Sequence, residues 1–135
     1  MKVLVDTSVW SLALRRERTG EEALVQELAE LIAEQRVAMI GPVRQELLSG
    51  IRDNEQFIAL QERLRAFPDL PLTESDFQRA AEYFNSCRAM SVQGSNTDFL
   101  LCAVAVNHHL AILTADRDFD LFAQHLPLRL LQARS

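Results

Sequence analysis

Lysine is all but missing from this 135-residue chain: Lys2 stands alone, and the other 13 of the 14 basic residues are arginine. With 19 acids the formal net charge is −5, which argues against a sequence-independent coat on nucleic acid, since that task wants a basic face. It leaves room for an enzyme that works on nucleic acid, because bound cations reverse the local field at a cluster of acids. The arginine bias suits phosphate and carboxylate partners, which a planar fork holds better than a lysine point charge does. The codon usage of the source genome explains it equally well.

Cysteine is nearly as scarce. Cys87 and Cys102 lie in stretches that read as separate helices, and two thiols so placed are expected to be reduced core residues rather than a disulfide. There is no Cys-x-x-Cys pair, no Gly-x-Gly-x-x-Gly, no phosphate-cradling Gly-Lys-Ser/Thr loop and no Gly-x-Ser-x-Gly elbow. Histidine is limited to His108, His109 and His125. The first two end a helix and the third has no partner at metal-ligand spacing, so no histidine-based nucleophile or metal set stands out. Long apolar runs are lacking too. No stretch nears the roughly 18 residues of a membrane span. The opening segment has one lysine and a very short apolar run before Asp6; no secretory leader is expected, and the cytoplasm is the expected location.

What is present is an ordinary globular composition, 48% hydrophobic and 24% charged, without repeats or linkers, and one domain over 1–135 is expected. Short apolar runs at 2–5 (KVLV), 37–40 (VAMI), 110–113 (LAIL) and 128–131 (LRLL) read as strands, with a weaker one around LPL at 70–72. Helical spacing predicts helices over 20–35, from Pro42 to Gly50, over 54–66, from Thr73 as N-cap to about Met90, and over the apolar run 96–109. A short helix falls within 116–126. Short apolar strands alternating with helices imply a parallel sheet with crossover connections, an α/β sandwich whose sites gather outside the carboxyl ends of the strands.

With thiols and imidazoles set aside, acids remain. Asp6 follows the first strand and Asp116 the strand LAIL, with Asp118 and Asp120 close behind; Glu46 lies one turn into a helix, and Asp98 in the first turn of another. Each has a plain structural reading. Asp6 can cap the next helix, although Thr7 and Ser8 are equally able to. Glu46 alone is a solvated helix residue. Ser95-Asn96-Thr97-Asp98 fits a capping box, and Asp116, Asp118 and Asp120 suit the first turn of a helix. The Asp-x-Asp-x-Asp spacing also fits the start of a calcium loop, but Leu121 stands where that loop needs glycine and Pro127 where it needs a bidentate Glu. Taken together, four elements are able to aim carboxylates at one sheet edge. Such a cluster needs protons or hard cations, and oxygen-only sites select Mg²⁺ or Mn²⁺.

Four stretches, VLVDTSVW at 3–10, PVRQELLSG at 42–50, NTDFLLCAVA at 96–105 and ILTADRDF at 112–119, together resemble the PIN-domain ribonucleases, and more narrowly the VapC-type toxins of bacterial toxin–antitoxin pairs. The resemblance runs over nearly the whole chain. It implies a three-layer α/β/α fold around a parallel sheet and hydrolysis of RNA. It also implies homodimers, and a small VapB-type antitoxin as partner. By position it assigns Asp6, Glu46, Asp98 and Asp116 to an acidic pocket for Mg²⁺ or Mn²⁺, with Asp118 as an outer group or an alternative ligand to Asp116. Thr7, Ser8 and Thr114 have hydroxyls that can orient those carboxylates or a water, or simply cap. Arg15, Arg16, Arg44 and Arg117 are candidates for holding RNA backbone, or else surface charges or dimer contacts. Two other readings compete: a non-catalytic α/β partner-binding module, and a haloacid-dehalogenase-type phosphatase. The second wants an acid where Ser8 stands and a downstream lysine that the chain lacks.

Overall fold

The structure, a computed structural model, describes residues 1–15 and 22–134. Its centre is a parallel sheet of β1 (Val3–Val5), β2 (Val37–Ala38) and β3 (Ala111–Leu113) in the order β2-β1-β3. Val3 pairs with both Val37 and Ala111, and Val5 with Leu113. Consecutive strand residues point to opposite faces, yet Val3, Leu4 and Val5 are all fully buried, as are Ile112 and Leu113. Both faces of the sheet are therefore covered, the three-layer α/β/α arrangement expected of short, wholly apolar parallel strands.

The covering helices are α1 (Thr7–Leu14), α2 (Glu22–Ala33), α3 (Gly41–Leu48), α4 (Asn54–Leu64), α5 (Glu74–Ala89), α6 (Asn96–Asn107) and the short α7 (Asp118–Ala123). Pro42 sits in the first turn of α3 and Thr73 caps α5, as their chemistry predicts. In α6 every residue from Phe99 to Ala105 is buried, which explains a helix with almost no polar face. Cys87 of α5 and Cys102 of α6 are unpaired core residues, and burial pushes both thiols up from their ordinary range. Phe99 stacks on Phe122 of α7 with ring centres 4.8 Å apart, and Phe122 meets Phe119 edge-on at 5.2 Å. These rings pin α7 to the start of α6.

Two expected strands shrink to single bridges. Asp69 pairs with Met39 and Leu130 with Ile112, both parallel. Pro68 and Pro71 flank the first and remove ladder donors. The second is left when the chain departs toward α2, where the Arg134 backbone amide donates to Glu27 at 2.7 Å. From β1 the chain moves to one side for β2 and then crosses to the other for β3. That reversal makes a crevice at the carboxyl ends of β1 and β3, where ligands collect in open parallel sheets.

Candidate active site

Two residues deliver carboxylates directly to that crevice. Asp6 leaves β1 and occupies the N-cap position of α1, but its side chain makes no capping bond. Its Oδ2 instead accepts from Ser8 Oγ at 2.7 Å and from Thr114 Oγ1, beyond the end of β3, at 2.8 Å. The two hydroxyls are 3.3 Å apart and are themselves held: Ser8 Oγ accepts from the Ala115 amide, and Thr114 Oγ1 from the Asp116 amide, each at 3.0 Å. A hydroxyl relay thus locks the β1 exit to the β3 exit. Asp116 follows immediately, and its Oδ1 accepts from the Asp118 amide at 2.9 Å to start α7.

Asp98 comes from the third element. Its Oδ2 accepts from the Ser95 amide and its own amide donates to Ser95 Oγ, each at 3.0 Å, so the capping box is real. The box does not account for the group's electrostatics. Burial pushes the Asp98 carboxyl above its ordinary value, hydrogen bonds from Ser95 oppose this, and the charges of Asp6 and Asp116 push it further up. One oxygen of Asp98 therefore serves the helix, while its carboxyl feels the charges of Asp6 and Asp116.

The three acids share a pattern. Each turns one oxygen to a scaffold donor, and among the described residues the other oxygen, Oδ1 of Asp6, Oδ1 of Asp98 and Oδ2 of Asp116, has no hydrogen-bond partner. Mutually repelling carboxylates with free oxygens suit a hard divalent cation. As the side chains stand, no three acidic, histidine or cysteine groups among the described residues are close enough to hold an ion. The fit therefore lies in donor chemistry and charge.

The remaining expected residues fare differently. Glu46 is exposed on α3 and makes no hydrogen bond or ion pair among the described residues, and Asp118 is exposed in the first turn of α7. The Thr7 hydroxyl is buried and without a partner there, so the orienting role falls to Ser8 and Thr114. Arg15 and Arg117 are exposed, and Arg16 lies outside the described residues. Arg44 is a correction to the RNA-backbone reading: its guanidinium donates to Asp69 at 2.9 Å, to the Leu64 carbonyl at 3.1 Å and to the Phe67 carbonyl, stapling α3 to the end of α4. Sequence reasoning missed the amides of Ala115 and Asp116 in the relay. A Thr two residues before an Asp at a strand end was the available signal, since such hydroxyls bond nearby amides.

Parallel strands, a reversal crevice and acids from three elements define a class, and residues 3–124 match the model of the PIN domain. The chain belongs to the PIN-domain family. It is 34% identical over 126 residues, 90% of this chain and 92% of its relative, to the VapC ribonuclease Mb1587 of Mycobacterium bovis. Its fold is similar to that of FitAcB from Neisseria gonorrhoeae, with TM-score 0.77, 24% identity and 96% of each chain covered. A similar likeness, TM-score 0.70 at 20% identity over 98% of each chain, holds for VapBC-5 from Mycobacterium tuberculosis, a member of the VapBC family of toxin–antitoxin systems.

Proposed function

We propose that this protein is a metal-dependent endoribonuclease, the toxin of a toxin–antitoxin pair, cutting RNA at the crevice between β1 and β3. The observation that supports this is that Asp6, Asp98 and Asp116 each have one oxygen braced and one free, and that the charges of Asp6 and Asp116 are felt at Asp98. The relative's ribonuclease name and the family membership support the reaction class. Asp6, Asp98 and Asp116 would hold Mg²⁺ or Mn²⁺, with Glu46 as the fourth ligand from α3 and Asp118 as an outer group or substitute for Asp116. Such an ion acidifies water and offsets the charge that builds on the phosphoryl oxygens. Ser8 and Thr114 fix the Asp6 carboxylate, so its free oxygen keeps one direction. No protein nucleophile is required, which suits a chain whose thiols are buried, and the products carry a 5′-phosphate and a 3′-hydroxyl. A small antitoxin and a second copy of the chain are the proposed partners. The cytoplasm is the proposed location, and no described helix is long and apolar enough to cross a membrane.

The test is cleavage of RNA by protein freed of any partner, in Mg²⁺, Mn²⁺ or EDTA. Cleavage is expected only with metal. Losing an outer hydrogen bond at a metal site costs roughly 10–100-fold, so Thr114→Val is expected in that range and Asp98→Asn beyond it. Cleavage that persists in EDTA, or survives Asp98→Asn, would count against the acidic site. Failure to bind Mn²⁺ together with failure to cut would favour the non-catalytic module.

A further inference from the structure

A cavity of about 310 Å³ opens beside the acids, between the start of α2, the turn after β3 and the C-terminal tail. Its lining includes Leu24, Thr114, Asp116, Arg117, Leu131 and Gln132. Thr114 and Asp116 belong also to the acidic site, so the cavity shares a wall with it. The tail wall is braced at both ends. The Leu131 amide donates to the Ile112 carbonyl at 2.8 Å. Three residues on, the Arg134 guanidinium reaches Glu27 at 2.6 and 3.0 Å, Glu34 at 2.9 and 3.0 Å, and Glu30 at 3.1 Å. Glu27 is only 2% exposed, and a buried carboxylate needs its partner. Neither Glu27 nor Arg134 bonds to any acid of the site, so this brace shapes the cavity and not the metal shell.

We infer that the cavity is a nucleobase subsite, which takes one unstacked base of single-stranded RNA next to the phosphate held at the acids. This rests on the ribonuclease reading. A phosphate on a cation held by Asp6, Asp98 and Asp116 would place its neighbouring nucleotide in the adjoining space. Leu24 and Leu131 offer apolar surface to the faces of a flat ring, and the Gln132 amide offers both a donor and an acceptor to its edge. Arg117, exposed at the mouth, suits the next phosphate. Leu131 and Gln132 are then specificity-determining residues, and Arg134 is a positioning residue that acts through the wall.

The experiment titrates the whole chain, with Ca²⁺ in place of Mg²⁺ or Mn²⁺ and the RNA checked to stay intact, into a single-stranded oligoribonucleotide carrying the fluorescent base 2-aminopurine. That base brightens on leaving the stack. The expected result is a saturable rise for the wild type, with Kd raised about tenfold in Gln132→Ala, the loss of roughly one hydrogen bond. In Arg134→Ala the oligonucleotide still binds but the rise shrinks; should that variant not fold, Gln132→Ala and Leu131→Ala carry the test. Binding without a rise, or with a Kd indifferent to Gln132→Ala, overturns the subsite. So does an arginine-containing peptide that occupies the cavity and that RNA cannot displace, which would hand it to a protein partner. RNA cut with Mn²⁺ but neither bound in Ca²⁺ nor sensitive to Gln132→Ala overturns the subsite alone. Neither binding nor cleavage overturns the ribonuclease reading with it.

Discussion

Asp76 and Asp98 are the same device in two places. Each follows a hydroxyl residue by three positions, Thr73 and Ser95, at the start of adjacent helices, and each carboxylate accepts from that residue's amide, at 2.9 and 3.0 Å. The two helices run antiparallel, so the devices sit at opposite ends of one pair. Their second oxygens meet opposite surroundings. Asp76 Oδ1 accepts from Asn107 Nδ2 at 2.8 Å, and His108 Nε2 lies 3.3 Å from Oδ2. Burial pushes the Asp76 carboxyl up, but the bonds from Asn107, Thr73 and His108 outweigh it and hold the group below its ordinary value. Asp98 is pushed up by burial and by two like charges. A capping motif therefore says nothing about function by itself; the free valence of its acid does.

Substitution should split the pair most widely in activity. Asp98→Asn is expected to cut RNA cleavage by about a hundredfold or more, past the range of an outer-shell loss, while raising the melting temperature of metal-free protein by relieving repulsion. Asp76→Ala is expected to keep cleavage and cost about 1–3 kcal/mol, because Asn107 and the Thr73 amide lose their acceptor inside the fold. Cleavage assays beside thermal melts in chelator would check both. Destabilisation by Asp98→Asn, or lost cleavage in a folded Asp76→Ala, would erase the distinction.

The two shifts also predict opposite responses to pH. With its folded value lowered, Asp76 contributes stability that is full above its unfolded value, near 3.8, and lost as pH falls through the folded value. Asp98, with its folded value raised from the same 3.8, costs stability that sets in as pH rises past the unfolded value and is complete above the folded one. Denaturation in chelator from pH 7 into the acid range should show the deficit of Asp76→Ala closing. The advantage of Asp98→Asn should close over the same fall, from the other side. Parallel curves for the two variants would mean that the environments are alike.

Gly94 tests whether the Asp98 end depends on its packing. A Cβ there would meet Phe122 Cζ at 2.6 Å and Phe99 at 3.0 Å, in the loop that carries Ser95. Overpacking of this kind costs about 1–3 kcal/mol, so Gly94→Ala is expected to lower the melting temperature by that equivalent and to weaken cleavage through Asp98. No such glycine guards the Asp76 end.

The sequence made the sheet and its acids readable because both are local: a wholly apolar run ending in an acid reports a buried strand and its carboxyl end without reference to the rest. Ser8 and Thr114 were legible as candidates for the same reason, though not their meeting across 106 positions. What could not be read was pairing at a distance. Arg134 with Glu27, Arg44 with Asp69, and Asp76 with Asn107 are set by which helices pack together, and no spacing encodes that. Arg44 stayed open between an RNA contact and a surface charge because an arginine near the start of a helix has no local signature separating a staple from a phosphate grip. Of the four acids, Glu46 has the least structural support, since an exposed helix residue shows nothing of what it will face once an ion is present.

The end of α5 nearest the acidic edge offers the smallest and cleanest change. Ser91 takes a left-handed conformation there, φ 63°, where a helix usually hands over to glycine. A side chain in that region costs about 1–2 kcal/mol. Glycine removes the cost but gives the unfolded chain more freedom, worth about 0.4–1 kcal/mol in the other direction. Ser91→Gly should therefore stabilise the fold by roughly 0.5–1 kcal/mol as the difference of the two, measured by urea denaturation at unchanged m. Because Ser91 is exposed and bonds only through its backbone to Arg88, cleavage should not change. A gain in stability with altered cleavage would mean that the loop from 91 to 95 positions Asp98 dynamically, and the difference between the two capped acids would then extend to the motion of the chain that precedes them.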